Sequence, residues 1–583
     1  MVHQKNMLNK VRGTVILTRG RFADTGTVLL SGFIIIKPDN RTVPVSANRP
    51  RVRIIVTDFY QGRHMMKYAV SSMEMKICDR NTSEHFGIDQ AVLMERAALC
   101  VCEAVDKWKN IQDTDRSLSV AVFAGVGNNG GDGVAIARIL KQRGYHVSLC
   151  VVGDPVKSSD MFLKQLEIAG KYDISQGTFS NIRDNKTDGA FDIIVDAMFG
   201  IGLTRPVTGT NLEAVNYIND LKDERGKDLY VVAVDIPSGI SADTGMVLGG
   251  AVKADTTVTF NFAKLGHILY PGCEYSGELV IADVGITKDS FLSKEPQTIY
   301  HDGDAMELIP VRKKDSNKGT NGKVLIIAGS KNISGACILS ASAALKAGAG
   351  MVRVFTASEN AEVVKALLPE AILDTYEDFE PVRDKLITAF KWSTQAVIGP
   401  GIGCEGKGKE LVSVVLKEYD KPLVMDADAL NIISEDEELR KLTSNYATGS
   451  KKLILTPHMG EFARLKNCCI GAAKDNLLEY PRLLASELHA SVICKDARSI
   501  VADSNEKKIY INISGNDGMA TAGSGDVLAG ITGALIGQGG SGFETAIAAV
   551  YIHGCAGDIA SSEHGRYSMI ASDIVNALSK VLE

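Results

Sequence analysis

The eleven cysteines include no Cys-x-x-Cys pair, and no cluster of histidines matches them; Cys100 and Cys102 straddle one residue, while Cys468 and Cys469 are adjacent. Such scatter is that of a reduced compartment without a zinc site. Long apolar runs are also missing. The longest early one, residues 28–36, is broken by Ser31 and Gly32 and is too short to cross a bilayer. No secretory signal is expected, so the sequence reads as cytoplasmic. Nor is there a surplus of basic charge: 64 Lys and Arg stand against 70 Asp and Glu, a net charge of −6 with an isoelectric point near 6.0. That balance argues against a nucleic-acid or anionic-membrane partner and leaves small molecules.

What remains is an ordinary globular composition, 45% hydrophobic and 23% charged. A chain of 583 residues exceeds one hydrophobic core, and its length suggests about two to four domains. Residues 1–65 differ from the rest, with eleven Lys and Arg against Asp24, Asp39 and Asp58. They read as an atypical extension ahead of the first domain, or as a basic docking arm. From residue 72 the pattern turns helical, over 72–84 and again over 89–110, where Val92, Leu93, Ala97, Val101 and Val105 follow helical spacing.

An apolar run over 118–123 then predicts a buried parallel strand. It leads into Gly125-Val126-Gly127-Asn128-Asn129-Gly130-Gly131-Asp132-Gly133, with a helix expected from Val134. Strand, glycine loop and helix make the doubly wound phosphate-binding arrangement, although two Asn and an Asp replace the small residues of the dinucleotide fingerprint. Asn carbonyls suit a hard cation, and Asn-Asn-Gly is equally a good turn. Further strands are predicted over 145–152, 191–195, 229–234 and 256–260. Two of them end in loops of the same kind, Asp196 through Gly200 to Leu203 and Asp235-Ile236-Pro237-Ser238-Gly239. Parallel strands present their carboxyl ends at one edge, so three acidic, glycine-bearing ends predict one site.

Periodicity fades between 285 and 323, which places a boundary near 289–298. A second αβ series follows, with strands over 323–328, 351–355, 396–398, 423–425, 453–455 and 492–494. Its strand ends carry Gly399-Pro400-Gly401-Ile402-Gly403, Asp426-Ala427-Asp428 and Thr456-Pro457-His458-Met459-Gly460-Glu461. His458 and Glu461 have the spacing of a metal pair on a helix, but a capping arrangement fits as well. Lys495-Asp496-Ala497-Arg498 lies at a hairpin where a phosphate could be held, or simply on the surface. The stretch 512–530 holds the sharpest motif, Gly523-Ser524-Gly525-Asp526, ahead of Val527, Leu528, Ile531 and Leu535 on one helical face. Free N–H groups and side-chain-free glycines at a helix start make an anion site. An acid beside a phosphate is repelled unless it caps the helix or takes a proton from a hydroxyl attacking phosphorus.

These motifs, in this order, resemble the bifunctional NAD(P)H-hydrate repair family, an epimerase fused to a nucleotide-dependent dehydratase of the ribokinase-like superfamily. The resemblance covers residue 66 to the end. It implies an α/β fold of two domains: a Rossmann-like doubly wound sheet over 66–290 and a ribokinase-like α/β/α sandwich over 291–583. The first would interconvert the R and S hydrates NADHX and NADPHX. The second would use ADP or ATP with Mg2+ to phosphorylate the S hydrate's hydroxyl and eliminate phosphate. By position, Asn128, Asn129, Gly130, Gly131 and Asp132, with Gly200, Ile201, Gly202, Leu203, Thr204, Arg205 and Pro206, match the epimerase substrate loops. Asp235 matches a substrate contact and proton-transfer group, and Asn129, Asp196 and Ser238 match potassium ligands. Ala336, Gly403 and His458 match hydrate contacts; Lys495, Asp496, Ala497, Arg498, Ser499 and Gly525 match nucleotide contacts; Asp526 matches the catalytic base. Family members imply a homo-oligomer. The chain departs from the family at Asp517, where proline is usual, which would put a charge near the phosphates, and at Asn317, where histidine is usual. A vitamin or sugar kinase fused to a dinucleotide-binding domain shares the Gly-x-Gly-Asp motif and is the competing reading.

Overall fold

The computed structural model describes residues 55–56, 66–112, 116–184, 191–448 and 451–583. The expectation of a basic extension over 1–65 otherwise lies outside the described residues. Among them, eight strands form one wholly parallel sheet in the order Ile55–Val56, Glu278–Ala282, Thr256–Phe260, Tyr230–Val234, Ile193–Ala197, Ser119–Ala124, His146–Val151, Ser175–Thr178. Its inner strands are buried on both faces, which is why Tyr230–Val234 reads as an unbroken apolar run rather than an alternating one. The chain winds outward from Ser119–Ala124 in one direction, then returns to Ile193–Ala197 and winds the other way. Ligands bind outside the strand ends at such a reversal.

The second sheet repeats the plan. Lys323–Ile327 is followed by Met351–Ala357 and Ile372–Tyr376 on one side and by Gln395–Ile398, Leu423–Met425, Leu453–Leu455 and Ser491–Cys494 on the other, all parallel. The hairpin strands Ile500–Asp503 and Ile509–Ile511 then add antiparallel pairings. Helix Ser524–Leu535 crosses helix Gly335–Lys346 so closely that a Cβ at Gly530 would lie 2.1 Å from the Ser340 carbonyl oxygen. Glycine at that contact is a packing requirement.

Two predicted features differ. The helix after the first glycine loop starts at Asn128, not Val134, and runs to Gln142. Gly130, Gly131 and Gly133 therefore lie inside it, and a Cβ on Gly130 would sit 1.6 Å from the Gly125 carbonyl oxygen while one on Gly133 would meet Ala197 at 2.6 Å. The glycines set helix against strand rather than forming the loop. The aperiodic stretch near 298 also holds a strand, Thr298–Tyr300, paired parallel with Ile509–Ile511 and antiparallel with Lys67–Val70. Lys67–Val70 pairs in turn with Ala263–Lys264. Two pieces of the first half thus extend the sheet of the second, held also by Lys67 on Asp302 at 2.9 Å and by the Tyr68 hydroxyl on Glu295 at 2.7 Å. Strands of two to four residues carry too little periodicity to be seen in sequence. Among the described residues no helix is long and apolar enough to cross a membrane.

Candidate active sites

The first cleft, of about 160 Å³, opens at the reversal point of the parallel sheet. Its lining includes Asn128, Asp132, Ile201 and Asp235 from the strand ends, with Asp79 and Lys264. Of the segment Gly200 to Pro206 only Ile201 lines it. Thr204, Arg205 and Pro206 are exposed beyond. Asp235 adopts φ of 67°, a left-handed backbone uncommon outside glycine and concentrated at functional sites. Its Oδ1 accepts from the Lys264 ammonium at 2.5 Å and from the Thr259 hydroxyl at 3.1 Å. Lys264 is 1% exposed, a depth at which an ammonium requires its counter-charge. Burial, then the charges of Asp235 and Asp79, push the Asp132 carboxyl well above its usual range. Burial also pushes Asp79 up to about 6, against the pull of Lys264.

Beside the cleft, three adjacent strands bring Asn129, Asp196 and Ser238 to one edge. Asp196 is fully buried and accepts from the Ser238 hydroxyl at 2.6 Å, the Ser238 N–H at 2.8 Å and the Met198 N–H at 3.3 Å. Burial outweighs these bonds and raises its carboxyl to about 6. Both polar atoms of the Asn129 side chain are buried without a hydrogen-bond partner among the described residues, against Gly200, whose Cβ would come within 3.2 Å of them. Orphaned amide atoms beside a carboxylate and a hydroxyl are the oxygen-rich donor set of a hard cation.

The second site surrounds the first turn of helix Ser524–Leu535, where Gly523, at φ of 87°, is the cap. Asp526 is half-buried there. Burial, then the negative charges of Asp426 and Asp428, push it up to about 6, while Lys495 pulls the other way. Lys495 meets Asp426 at 2.8 Å, with Asp426 1% exposed. Burial alone would lower the Lys495 ammonium, but Asp426 and Glu461 outweigh it and hold it above its usual value. A Cβ on Gly525 would lie 3.2 Å from the Lys495 Nζ, so the glycine keeps an open approach between lysine and helix start. Gly403 donates its N–H to Asp428 at 2.9 Å, and Ala336 lies against the same loop at Gly401.

His458 and Glu461 form a capping box. The His458 Nδ1 accepts from the Gly460 N–H at 2.9 Å, and Glu461 accepts the His458 N–H at 2.8 Å. The ring's Nε2 points at Glu461 at 3.2 Å, with the histidine side chain 56% exposed, so the ring remains accessible beside Lys495. Lys495 to Ser499 turn between two strands. Asp496 and Ala497 are exposed at the tip, whereas Arg498 is buried with Nε donating to the Ile268 carbonyl at 2.9 Å and its guanidinium over the Tyr270 ring at 5.0 Å. Asp517 pairs with Arg566 at 3.0 Å, which offsets the added charge. Asn317 accepts N–H bonds from Gly319 and Thr320 and so serves as a turn residue.

Sequence reasoning missed Lys264 and Asp79. A lysine between Ala263 and Leu265, just past the buried strand Thr256–Phe260, was the available signal for the first. Asp79 lies mid-helix in Ser72–Glu84 and carried none.

A family model described as NAD(P)H-hydrate dehydratase matches residues 324–580, and one described as YjeF-related protein N-terminus matches residues 90–266. The bifunctional NAD(P)H-hydrate repair enzyme Nnr of Thermofilum pendens is 34% identical over 522 residues, which cover 87% of this chain and 95% of that protein. The enzyme of the same name from Moorella thermoacetica is 35% identical over 528 residues, 88% of this chain and 96% of that protein. Among solved structures, a ribokinase-like superfamily protein of Enterococcus faecalis aligns over 49% of this chain and 95% of its own, at 28% identity and a TM-score of 0.43.

Proposed function

The chain belongs to the bifunctional NAD(P)H-hydrate repair family, and we propose that its two sites divide the repair between them, the Asp235 cleft epimerising the hydrates and the Asp526 site dehydrating the S form. The protein is a metabolite-repair enzyme, an NAD(P)H-hydrate epimerase and an ADP- or ATP-dependent dehydratase. The observation that carries the division is the presence in one chain of two unlike carboxylate sites. Asp235 is ion-paired with a lysine in the first cleft, whereas among the described residues Asp526 has no ion-pair partner at its glycine-rich helix start.

At the second site the helix N-terminus and Lys495 hold the phosphates of ADP or ATP, since free N–H groups and an ammonium both favour the anion. Lys495, Asp496, Ala497, Ser499 and Gly525 form the nucleotide edge, with the buried Arg498 bracing the hairpin behind it, and Ala336, Gly403 and His458 form the hydrate edge. Asp526 takes the proton of the substrate hydroxyl as its oxygen attacks the terminal phosphorus. The P–O bond to the nucleotide breaks; phosphate then departs with the C6–O electron pair while the proton on C5 is lost to water, its C–H electrons forming the C5–C6 double bond. Burial, then two neighbouring carboxylates, raises the proton affinity of Asp526, which brings its basicity closer to the working pH. Among the described residues no three His, Cys, Asp or Glu stand close enough to hold a metal unaided. Asp426 or Asp428 would hold Mg2+, which would supply positive charge beside the phosphates.

In the first cleft Asn128, Asp132 and Ile201 contact the nicotinamide hydrate and Asp235 moves the proton. K+ would be held by Asn129, Asp196 and Ser238, where it would balance the buried Asp196 charge and fix the strand ends. The near-balanced charge of the chain supports a small-molecule substrate over nucleic acid, and the reading extends to a cytoplasmic homo-oligomer. The test is to incubate pure R hydrate without nucleotide and separate the epimers by chromatography. Appearance of S hydrate above the buffer rate is expected, and its absence alongside active dehydration of S hydrate overturns the division of labour.

A further inference from the structure

We propose that Lys264 is a second catalytic residue of epimerisation, the acid that protonates the departing hydroxyl, working as a pair with Asp235. The proposal rests on reading the first cleft as the epimerase site.

Three observations carry it. Lys264 lines the cleft at its floor, with 1% of its surface exposed. An ammonium has three donors. One goes to Asp235 Oδ1 at 2.5 Å and a second to the Thr259 hydroxyl at 2.7 Å; among the described residues the third has no partner, which leaves it for a group bound in the cleft. The side chain is also rigidly delivered. Its residue pairs with Val70 in a parallel bridge, and its N–H donates to the buried ring of His267 at 3.0 Å, so the backbone on both sides is fixed. A lysine serving only to neutralise Asp235 would not need a face on the substrate cavity.

The substrate's chemistry needs such an acid. Its hydroxyl sits on C6, next to the ring nitrogen N1, so the C–O bond is that of a carbinolamine. As the Lys264 N–H bond breaks and an O–H bond forms, the C6–O bond breaks and its electron pair leaves on oxygen as water. The N1 lone pair closes onto C6, giving a planar cation. Water adds from the opposite face, a lone pair forming the new C6–O bond while N1 takes its pair back and Asp235 receives the proton. Asp235 returns that proton to the neutral Lys264 amine across their 2.5 Å contact. Only the configuration at C6 has changed, and water is the sole co-reactant.

The test compares wild type with Lys264→Ala and Lys264→Arg in the full-length enzyme, following R-to-S conversion by chromatography without nucleotide. Dehydration of pure S hydrate at the other site serves as the check on folding. Loss of a positioned general acid predicts a fall of about 10²–10⁴-fold in Lys264→Ala. Added methylammonium should restore activity in proportion to its concentration. Lys264→Arg should stay slow, because a guanidinium keeps the charge but does not give up its proton at neutral pH. Epimerisation by Lys264→Ala within about threefold of wild type overturns the proposal, since general acids contribute far more than that. Full activity in Lys264→Arg, or a loss that methylammonium does not relieve, also overturns it. Wild type is measured first: if it fails to epimerise, the reading of the cleft has failed, not the lysine's role.

Discussion

Replacing Asp526 by Asn should separate stability from activity in opposite directions. The side chain keeps its shape and its place in the first turn of helix Ser524–Leu535 but can no longer accept a proton. Removal of a positioned general base costs about 10²–10⁴-fold, or about 3–5 kcal/mol of barrier, so dehydration of S hydrate should fall by that factor. Stability should move the other way. Burial and the charges of Asp426 and Asp428 raise the folded-state pKa of Asp526 from 3.8 to about 6. The folded protein therefore resists ionising this group. The penalty is fully present above about pH 6, and it disappears as pH falls below the unfolded value. A shift of about two units corresponds to about 3 kcal/mol at pH 7. Asp526→Asn should thus raise the thermal midpoint at pH 7 by several degrees, and hardly at all at pH 4. The assay pairs S-hydrate dehydration with thermal melts at the two pH values. A variant that loses activity and is less stable at pH 7 would refute the electrostatic account, and one that keeps activity would refute the role of base.

Dehydration itself should follow the same group: kcat/KM for S hydrate should rise about tenfold per pH unit below pH 6 and level off above, and a flat profile from pH 5 to 7 would count against Asp526. Asp235→Asn should abolish R-to-S conversion while S hydrate is still dehydrated, so R hydrate accumulates; equal loss of both activities would contradict the separation of sites. Lys495→Met leaves the buried Asp426 carboxylate without its partner, which should cost about 3–5 kcal/mol in chemical denaturation besides weakening nucleotide binding. An unchanged denaturation midpoint would show that Asp426 finds other compensation. Asn129→Leu should weaken any stimulation of epimerisation by K+ over Na+, measured as activity against added salt, and an unaltered K+ response would place the ion elsewhere.

Much of this was legible because buried parallel strands advertise themselves. The run ending at Phe123 and the strands before Asp196, Asp235, Asp426 and His458 are apolar on both faces, and the chemistry follows at their ends. Asp526 was legible because glycines precede it and a helical face follows. What failed to show was long-range or conformational. Thr298–Tyr300 and Lys67–Val70 are too short for periodicity, so the sheet shared by the two halves was invisible. The glycines at 130, 131 and 133 looked like a loop, because sequence does not distinguish a glycine needed for positive φ from one needed for close helix packing. Lys264 went unremarked, since its place between Ala263 and Leu265 is a slight signal and does not reveal that it reaches Asp235. Arg498 matched a nucleotide contact by position, yet its guanidinium reaches Ile268 and Tyr270, more than two hundred residues away in sequence.

The central claim is that one chain both epimerises and dehydrates hydrated NAD(P)H, and near-ultraviolet absorbance tests it most directly. The protein is added to a mixed R and S preparation of NADH hydrate with magnesium and potassium, and ADP or ATP in separate cuvettes. Recovery of all the NADH is predicted with at least one nucleotide. Recovery that stops at the S fraction would contradict the epimerase half. A phosphorylated product without NADH would contradict the dehydratase half and make the second site that of a kinase.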